Sequence, residues 1–174
     1  EKTLDQPSVA SVVDPQAAQI SHQVGLGADI KLDLGHKQDS QWGKPIQVEG
    51  KVKILHQGPF FYSGGIWDGI RGDMGATAVL EVGQIQILIT TYGSYEWREE
   101  QFQVVGIEAA RSKFIVVKNP MNYQPTYPQA VASFILDTPG PTPATCRHLP
   151  YQRLKRPYFP LDSEIPLLKP TILT

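Results

Sequence analysis

The sequence predicts an α+β fold with a strand-rich mixed or antiparallel sheet, short helices and a proline-rich C-terminal arm. Apolar and polar residues alternate in several segments of strand length, the pattern of strands with one buried face. The helical segments are too short to act as the crossover helices of a doubly wound parallel sheet. From residue 138 onward prolines recur as far as Pro170 and impose extended or turn geometry on residues 138–174.

The N-terminal segment predicts a strand that leads directly into a helix. Residues 8–13 are short, apolar and partly β-branched. Asp14 and Pro15 follow as a helix N-cap and a first-turn proline. Gly25 is able to end the helix with a positive φ, so we expect the last helical residue near Val24.

The middle of the chain predicts four further strands. Residues 28–34 and 46–54 both alternate with period two, and Gly50 on the buried face of the second predicts a bulge or a close backbone contact. Residues 77–82 and 85–91 flank Gly83-Gln84, which favours a two-residue type II′ hairpin.

The remaining periodic segments are short. Residues 114–117 and 133–137 are apolar runs that predict two core strands. Residues 99–104, 108–112 and 127–132 predict single helical turns, none of which is long enough to be stable alone.

Length and composition limit the class of protein. A chain of 174 residues is large enough to fold as one domain over 1–174, with 138–174 as its arm. A net charge of −1 argues against nucleic acid as a partner, and the longest apolar runs are far below the roughly 20 residues of a membrane span. One cysteine favours a cytoplasmic location. The start at Glu1, without a methionine or a signal-peptide core, predicts further residues upstream.

The sequence offers one weak set of metal ligands and no catalytic residue. A catalytic zinc needs about three His or carboxylate ligands, and its strongest sign is a pair of histidines one helical turn apart, a pair that this sequence lacks. His56, Asp68 and Asp73 come from a strand end and the glycine-rich loop after it. Aspartates in such loops commonly serve turn geometry alone, so we expect no metal in this chain.

An aromatic, glycine-rich loop at residues 58–69 is the first candidate binding segment. Phe61 and Trp67 are able to form one wall of a substrate cleft, because aromatic faces bury apolar ligand surface. The alternative is a loop packed against its own core.

A polar turn after the apolar run at 114–117 is the second candidate. Lys118 is suited to bind a substrate carboxylate, and Asn119 and Tyr123 to orient the substrate through hydrogen bonds. The alternative is structural, with Lys118 at a strand end and Tyr123 packed under the proline-rich arm.

A series of segments matches one family pattern in order and spacing. They are Val-Ala-Ser-Val-Val-Asp-Pro at 9–15, Gly-Leu-Gly-Ala at 25–28, Asp-Met-Gly-Ala-Thr-Ala-Val-Leu-Glu-Val-Gly at 73–83, and the segments at 102–107, 115–119, 137–140, 149–157 and 160–162. Together they resemble the C-terminal domain of the MlrC-like zinc metallopeptidases, which degrade microcystin. Asn122 departs from the pattern, because many relatives carry a histidine there and an amide does not take up a proton near neutral pH.

The resemblance implies the C-terminal portion of a zinc-dependent metallopeptidase that hydrolyses amide bonds, with linear microcystin peptides as the best-known substrates. It implies that an upstream catalytic domain holds the zinc while this chain shapes the cleft. The implied partners are that domain, a peptide substrate and a second copy in a homo-oligomer. Two alternatives stay open: a non-catalytic ligand-binding or interaction module, and an independent hydrolase that uses His56, Asp68 and Asp73.

Overall fold

A computed structural model describes residues 6–142, 144–145, 149–159 and 161–162 of the chain. The chain divides into two compact units that meet in sequence between Ser133 and Phe134. The single domain expected over 1–174 stays a prediction. The lone cysteine, Cys146, lies outside the described residues.

The first unit is built on a six-stranded mixed sheet. Its strands lie in the order β2-β3-β6-β7-β1-β8, and β1 runs parallel to both β7 and β8 while the other neighbours are antiparallel. The predicted α+β class with a mixed sheet is therefore confirmed. The elements in chain order are β1 Ser8–Val13, α1 Pro15–Val24, β2 Asp29–Leu34, β3 Ile46–His56, β4 Pro59–Phe61, a 3-10 turn Gly65–Trp67, β5 Arg71–Asp73, β6 Thr77–Val82, β7 Ile85–Thr90, α2 Glu100–Gln103, a 3-10 turn Ala109–Arg111, β8 Phe114–Ile115 and α3 Tyr123–Thr126.

The helix α1 begins and ends where the sequence predicts. The carboxylate of Asp14 accepts a hydrogen bond from the N–H of Ala17 at 2.9 Å, and Pro15 occupies the first turn. Gly25, with φ of 88°, ends the helix. The fully buried Ala17 and Ala18 place α1 against one face of the sheet, where they pack among side chains of β2, β3, β6 and β7.

The opposite face of the sheet carries a second core. There Val9, Val79 and Leu88 pack against Phe60 and Tyr62 of the β4 region and against residues 102–109. The short hairpin β4-β5 and the segment after β7 therefore cover this face, and the core on this side extends under the candidate binding segments.

Two glycine predictions are confirmed. Gly83 turns the β6-β7 hairpin with φ of 58°. A Cβ atom at Gly50 would lie 2.4 Å from the carbonyl oxygen of Glu81, so the backbones are in close contact there. The bulge itself lies further along β3, where the register with β6 shifts between Val52 and Ile54.

Three of the predicted short elements differ from the structure, one of them only in its length. Residues 133–137 form no strand, and Phe134 and Leu136 are largely exposed. Of residues 114–117 only Phe114 and Ile115 pair, at the edge of the sheet, and Phe114 is half exposed. Of the helical turn predicted at 127–132 only one turn bond forms, from the N–H of Ala130 to the carbonyl of Tyr127, and the short helix lies earlier, at Tyr123–Thr126. An apolar run predicts a strand, but a strand forms only where a neighbour offers a free edge.

The second unit has extended and turn structure in its described residues, which contain no helix or strand. The guanidinium of Arg156 pairs with the carboxylate of Asp162, and the rings of Tyr151 and Tyr158 lie 6.4 Å apart. In its described residues the proline-rich arm thus has the irregular geometry that the sequence predicts. Over the described part of the chain, no helix is long and apolar enough to cross a membrane.

Candidate functional site

A cleft of about 100 Å³ opens in the first unit where the parallel strands β1 and β7 end. Its lining includes Ser11 and Val13 of β1, Thr90 of β7, Tyr95 and Glu96 from the segment after β7, and Lys118 from the loop after β8. Because the carboxyl ends of parallel strands meet at one edge of a sheet, the loops that follow them converge there. The cleft therefore owes its position to the mixed topology.

Glu96 ties the loop after β8 to strand β1. One carboxylate oxygen accepts a hydrogen bond from the hydroxyl of Ser11, and the other accepts one from the backbone N–H of Lys118 at 2.6 Å. The backbone carbonyl of Glu96 accepts a hydrogen bond from the amide of Asn119 at 2.7 Å. Three bonds from one residue fix this loop at the rim of the cleft.

Lys118 is the residue of the predicted polar turn that lines the cleft. Although the residue as a whole is exposed, desolvation of its amine lowers its pKa, and the negative charge of Glu96 opposes this shift. Within the described residues, no carboxylate lies within ion-pair distance of this amine. The cleft thus contains a cation whose charge is not neutralised by direct contact.

The other two residues of the predicted turn lie away from the cleft lining. Asn119 is buried, and besides its bond to Glu96 its side-chain oxygen accepts a hydrogen bond from the N–H of Met121 at 3.1 Å. Tyr123 packs against the second core, and its hydroxyl lies 3.3 Å from the Oγ of Ser133. Their role in orienting a substrate stays a prediction.

The aromatic loop at 58–69 divides into buried and exposed residues. Phe60 and Tyr62 are buried in the core, whereas the side chain of Phe61 is exposed. Trp67 is partly buried. Its ring centroid lies 5.2 Å from that of Tyr62 and 5.4 Å from that of Tyr95. Part of the loop therefore packs against its own core, whereas Phe61 and Trp67 still present aromatic surface.

Tyr95 connects the two candidate segments. Its ring packs beside Trp67, its hydroxyl accepts a hydrogen bond from the amide of Asn122 at 2.7 Å, and it lines the cleft. Its carbonyl accepts hydrogen bonds from the hydroxyl of Tyr62 and the amide of Gln101. Sequence reasoning missed Ser11, Tyr95 and Glu96, although the polar and aromatic segment 92–97 directly after an apolar strand was a signal available to it.

His56, Asp68 and Asp73 do not form a metal site. Nδ1 of His56 accepts a hydrogen bond from the N–H of Gly58, and Asp68 and Asp73 accept bonds from the N–H groups of nearby glycines. Among the residues that the structure describes, no three His, Cys, Asp or Glu side chains are grouped so as to hold a metal ion. All three side chains bond to backbone N–H groups of turns, which gives no support to the weak ligand set considered from the sequence, and these residues do not fit a zinc site.

Comparisons with known proteins identify a matching family model, a related protein and a related crystal structure. A family model described as the MlrC C-terminus matches residues 1–153. Microcystinase C from Sphingomonas sp. is 23% identical over 154 residues, which cover 88% of this chain and 29% of that protein. A crystal structure from Mesorhizobium sp. BNC1, described as a candidate metallopeptidase, shares this fold with a TM-score of 0.75 and 23% identity. It matches over 91% of this chain and 32% of its own, so this chain spans about a third of both relatives.

Proposed function

The chain belongs to the MlrC C-terminus family, and on that premise we propose that it is the C-terminal portion of a zinc-dependent metallopeptidase. In this role it shapes the substrate cleft, and a preceding domain of the same protein holds the zinc and activates water. The substrates are peptides, with linear microcystin as the model, and the protein acts in the cytoplasm. The single cysteine supports that location.

The observation that carries this proposal is the cleft at the ends of β1 and β7, lined by Lys118 and Tyr95. Both relatives extend well beyond the region that this chain matches, which leaves room for a separate catalytic domain. A mainly apolar cleft with a few polar groups and a tyrosine in its lining is typical of a ligand-binding site. The Phe61 and Trp67 surface lies outside the lining of that cleft and extends the binding surface from it, because the ring of Trp67 packs beside that of Tyr95.

The proposal that a preceding domain holds the zinc while this chain shapes the cleft has a direct test. The complete protein, this chain alone and the preceding region alone are compared for zinc content by mass spectrometry and for hydrolysis of a linear peptide. We expect about one zinc in the complete protein and in the preceding region, none in this chain, and efficient hydrolysis by the complete protein only.

Two outcomes would contradict the proposal. Stoichiometric zinc in this chain alone would place the metal here, against the hydrogen bonds that occupy His56, Asp68 and Asp73. A complete protein that binds peptides without hydrolysing them would make the chain part of a non-catalytic binding module.

A further inference from the structure

We propose that the cleft binds a carboxylate group of the peptide substrate, with the Lys118 ammonium as its counter-charge and Glu96 as the residue that positions Lys118. The inference rests on the proposed function, because the carboxylate belongs to the substrate named there. It adds a chemical class of ligand and a positioning residue to that site.

The first support is the contrast between Lys118 and other lysines of the chain. Lys37, Lys51 and Lys53 each have a carboxylate oxygen within 3.3 Å of the amine. Lys118 has no such partner among the described residues, and neither do Lys31, Lys44 and Lys113, but of these four Lys118 is the one that lines the cleft. An ammonium group in the lining of a cleft, with no ion-pair partner among the described residues, is suited to pair with an anionic ligand.

The second support is that Glu96, the carboxylate in the cleft lining, already has donors. It accepts hydrogen bonds from the hydroxyl of Ser11 and from the backbone N–H of Lys118. These bonds hold the carboxylate of Glu96 on groups other than the Lys118 ammonium, which is then available to a ligand.

The third support is the rest of the lining. Ser94 accepts a hydrogen bond from Gln101, which leaves its own hydroxyl hydrogen free to donate. A volume of about 100 Å³ holds a carboxylate and the atoms next to it, rather than several residues of a peptide. The shared chemistry is a carboxylate, from either the C-terminus of a peptide or an Asp or Glu side chain.

The binding test uses this chain and three matched short peptides. One has a free C-terminus and no acidic residue, the second is amidated with one internal Glu, and the third is amidated without an acidic residue. Binding is followed by calorimetry at low salt, where exposed charge pairs are screened least. We expect one of the first two peptides to bind at least about 10-fold more tightly than the neutral third, which identifies the source of the carboxylate.

Two variants distinguish binding at Lys118 from a general effect of positive charge on the protein surface. Lys118→Met keeps the length of the side chain and is expected to abolish that preference, whereas Lys113→Met, at an exposed position before β8 and outside the cleft lining, is expected to retain it. Equal affinity for all three peptides, or a carboxylate preference that Lys118→Met leaves intact, would overturn the inference. Unchanged unfolding curves establish that both variants are folded.

Glu96 is tested by the pH dependence of binding. Its charge raises the pKa of Lys118, so the Glu96→Gln variant loses carboxylate binding at a lower pH than the parent chain as pH increases. A role in packing alone would lower stability without moving this pH profile, and that result would remove Glu96 from the site. Hydrolysis by the complete protein distinguishes the two proposals: equal rates for free-acid and neutral peptides would contradict only the carboxylate site, and no hydrolysis at all would contradict the proposed function.

Discussion

The side-chain amide of Asn119 donates a hydrogen bond to the backbone carbonyl of Glu96 over 2.7 Å. The same amide accepts a bond from the N–H of Met121, and Asn119 is 4% exposed. One buried side chain therefore satisfies two backbone groups of different segments, which orders the loop that contains Lys118.

Replacement of Asn119 by alanine is expected to destabilise the chain by about 1–3 kcal/mol, because it leaves buried backbone groups without partners. Urea unfolding of this chain measures the change. The matched control is Asn122→Ala, which removes one exposed hydrogen bond to the Tyr95 hydroxyl and is expected to cost less than about 0.5 kcal/mol. Equal losses in the two variants would show that the buried bonds of Asn119 contribute little.

The aromatic wall is tested in the complete protein with Phe61→Ala, alone and together with Trp67→Ala. Phe61 is 65% exposed, so its single variant is expected to change the free energy of unfolding by less than about 0.5 kcal/mol while it weakens peptide turnover. The double variant also loses the contacts of Trp67 with Tyr62 and Tyr95, and is expected to weaken turnover more than zinc binding. Zinc content that falls in parallel with turnover would place the loop at the metal site.

The hydrogen bonds of Asp14 predict that the folded chain loses stability at acid pH. Burial raises the pKa of its carboxyl, but hydrogen bonds from the N–H groups of Ala17 and Gly35 and the charge of Lys37 outweigh it, so the folded pKa lies below 3.8. The resulting stabilisation is complete above the unfolded pKa of about 4, and it is lost as pH falls through the folded value.

The Asp14→Asn variant removes this charge and presents an amide nitrogen to one of the two N–H donors. It is expected to lose about 1–3 kcal/mol at pH 7 and to show a smaller decline in stability between pH 5 and pH 3 than the parent chain. Urea unfolding across this range measures both effects. The control is Asp33→Asn at an exposed position of β2, and a similar loss there would contradict the role assigned to Asp14.

A chelator tests whether the folding of this chain and hydrolysis by the complete protein each depend on a metal. We expect EDTA to leave the Tm of this chain unchanged, because two apolar cores on the sheet supply its stability and no metal is needed to close the fold. The complete protein is expected to lose hydrolysis with EDTA and to regain it with zinc. A fall of more than a few degrees in the Tm of this chain would reveal a structural metal site.

The elements that the sequence predicted correctly are those in which local chemistry and burial agree. Asp14, Pro15 and Gly25 define α1 through capping and backbone geometry, and Gly83 defines its hairpin through φ. The segment at 133–137 failed because its apolar character says nothing about whether a partner strand is in reach. Pairing across the chain is the information that a local pattern lacks.

The candidate site could be predicted from the sequence only in part, for the same reason. Lys118 could be predicted as a polar residue beyond a strand end, but its neighbour Glu96 lies 22 positions earlier and reaches it only because β7 and β8 flank β1. Ser11 reads in the sequence as part of an apolar strand, although its hydroxyl bonds to Glu96. Such contacts depend on strand order, which the periodicity of each strand leaves open.

The position of β1 between two parallel partners also constrains the order of folding. Ser8 pairs with Ile85 on one side and with Phe114 on the other, so β1, which precedes the other strands of this sheet in the chain, has no partner until β7 has been translated. The β6-β7 hairpin closes a short loop and is able to form early, and β1 must then dock against it across a long intervening segment. We therefore expect the cleft to assemble late, after β8 has joined the sheet and the loop that contains Lys118 has docked on Glu96.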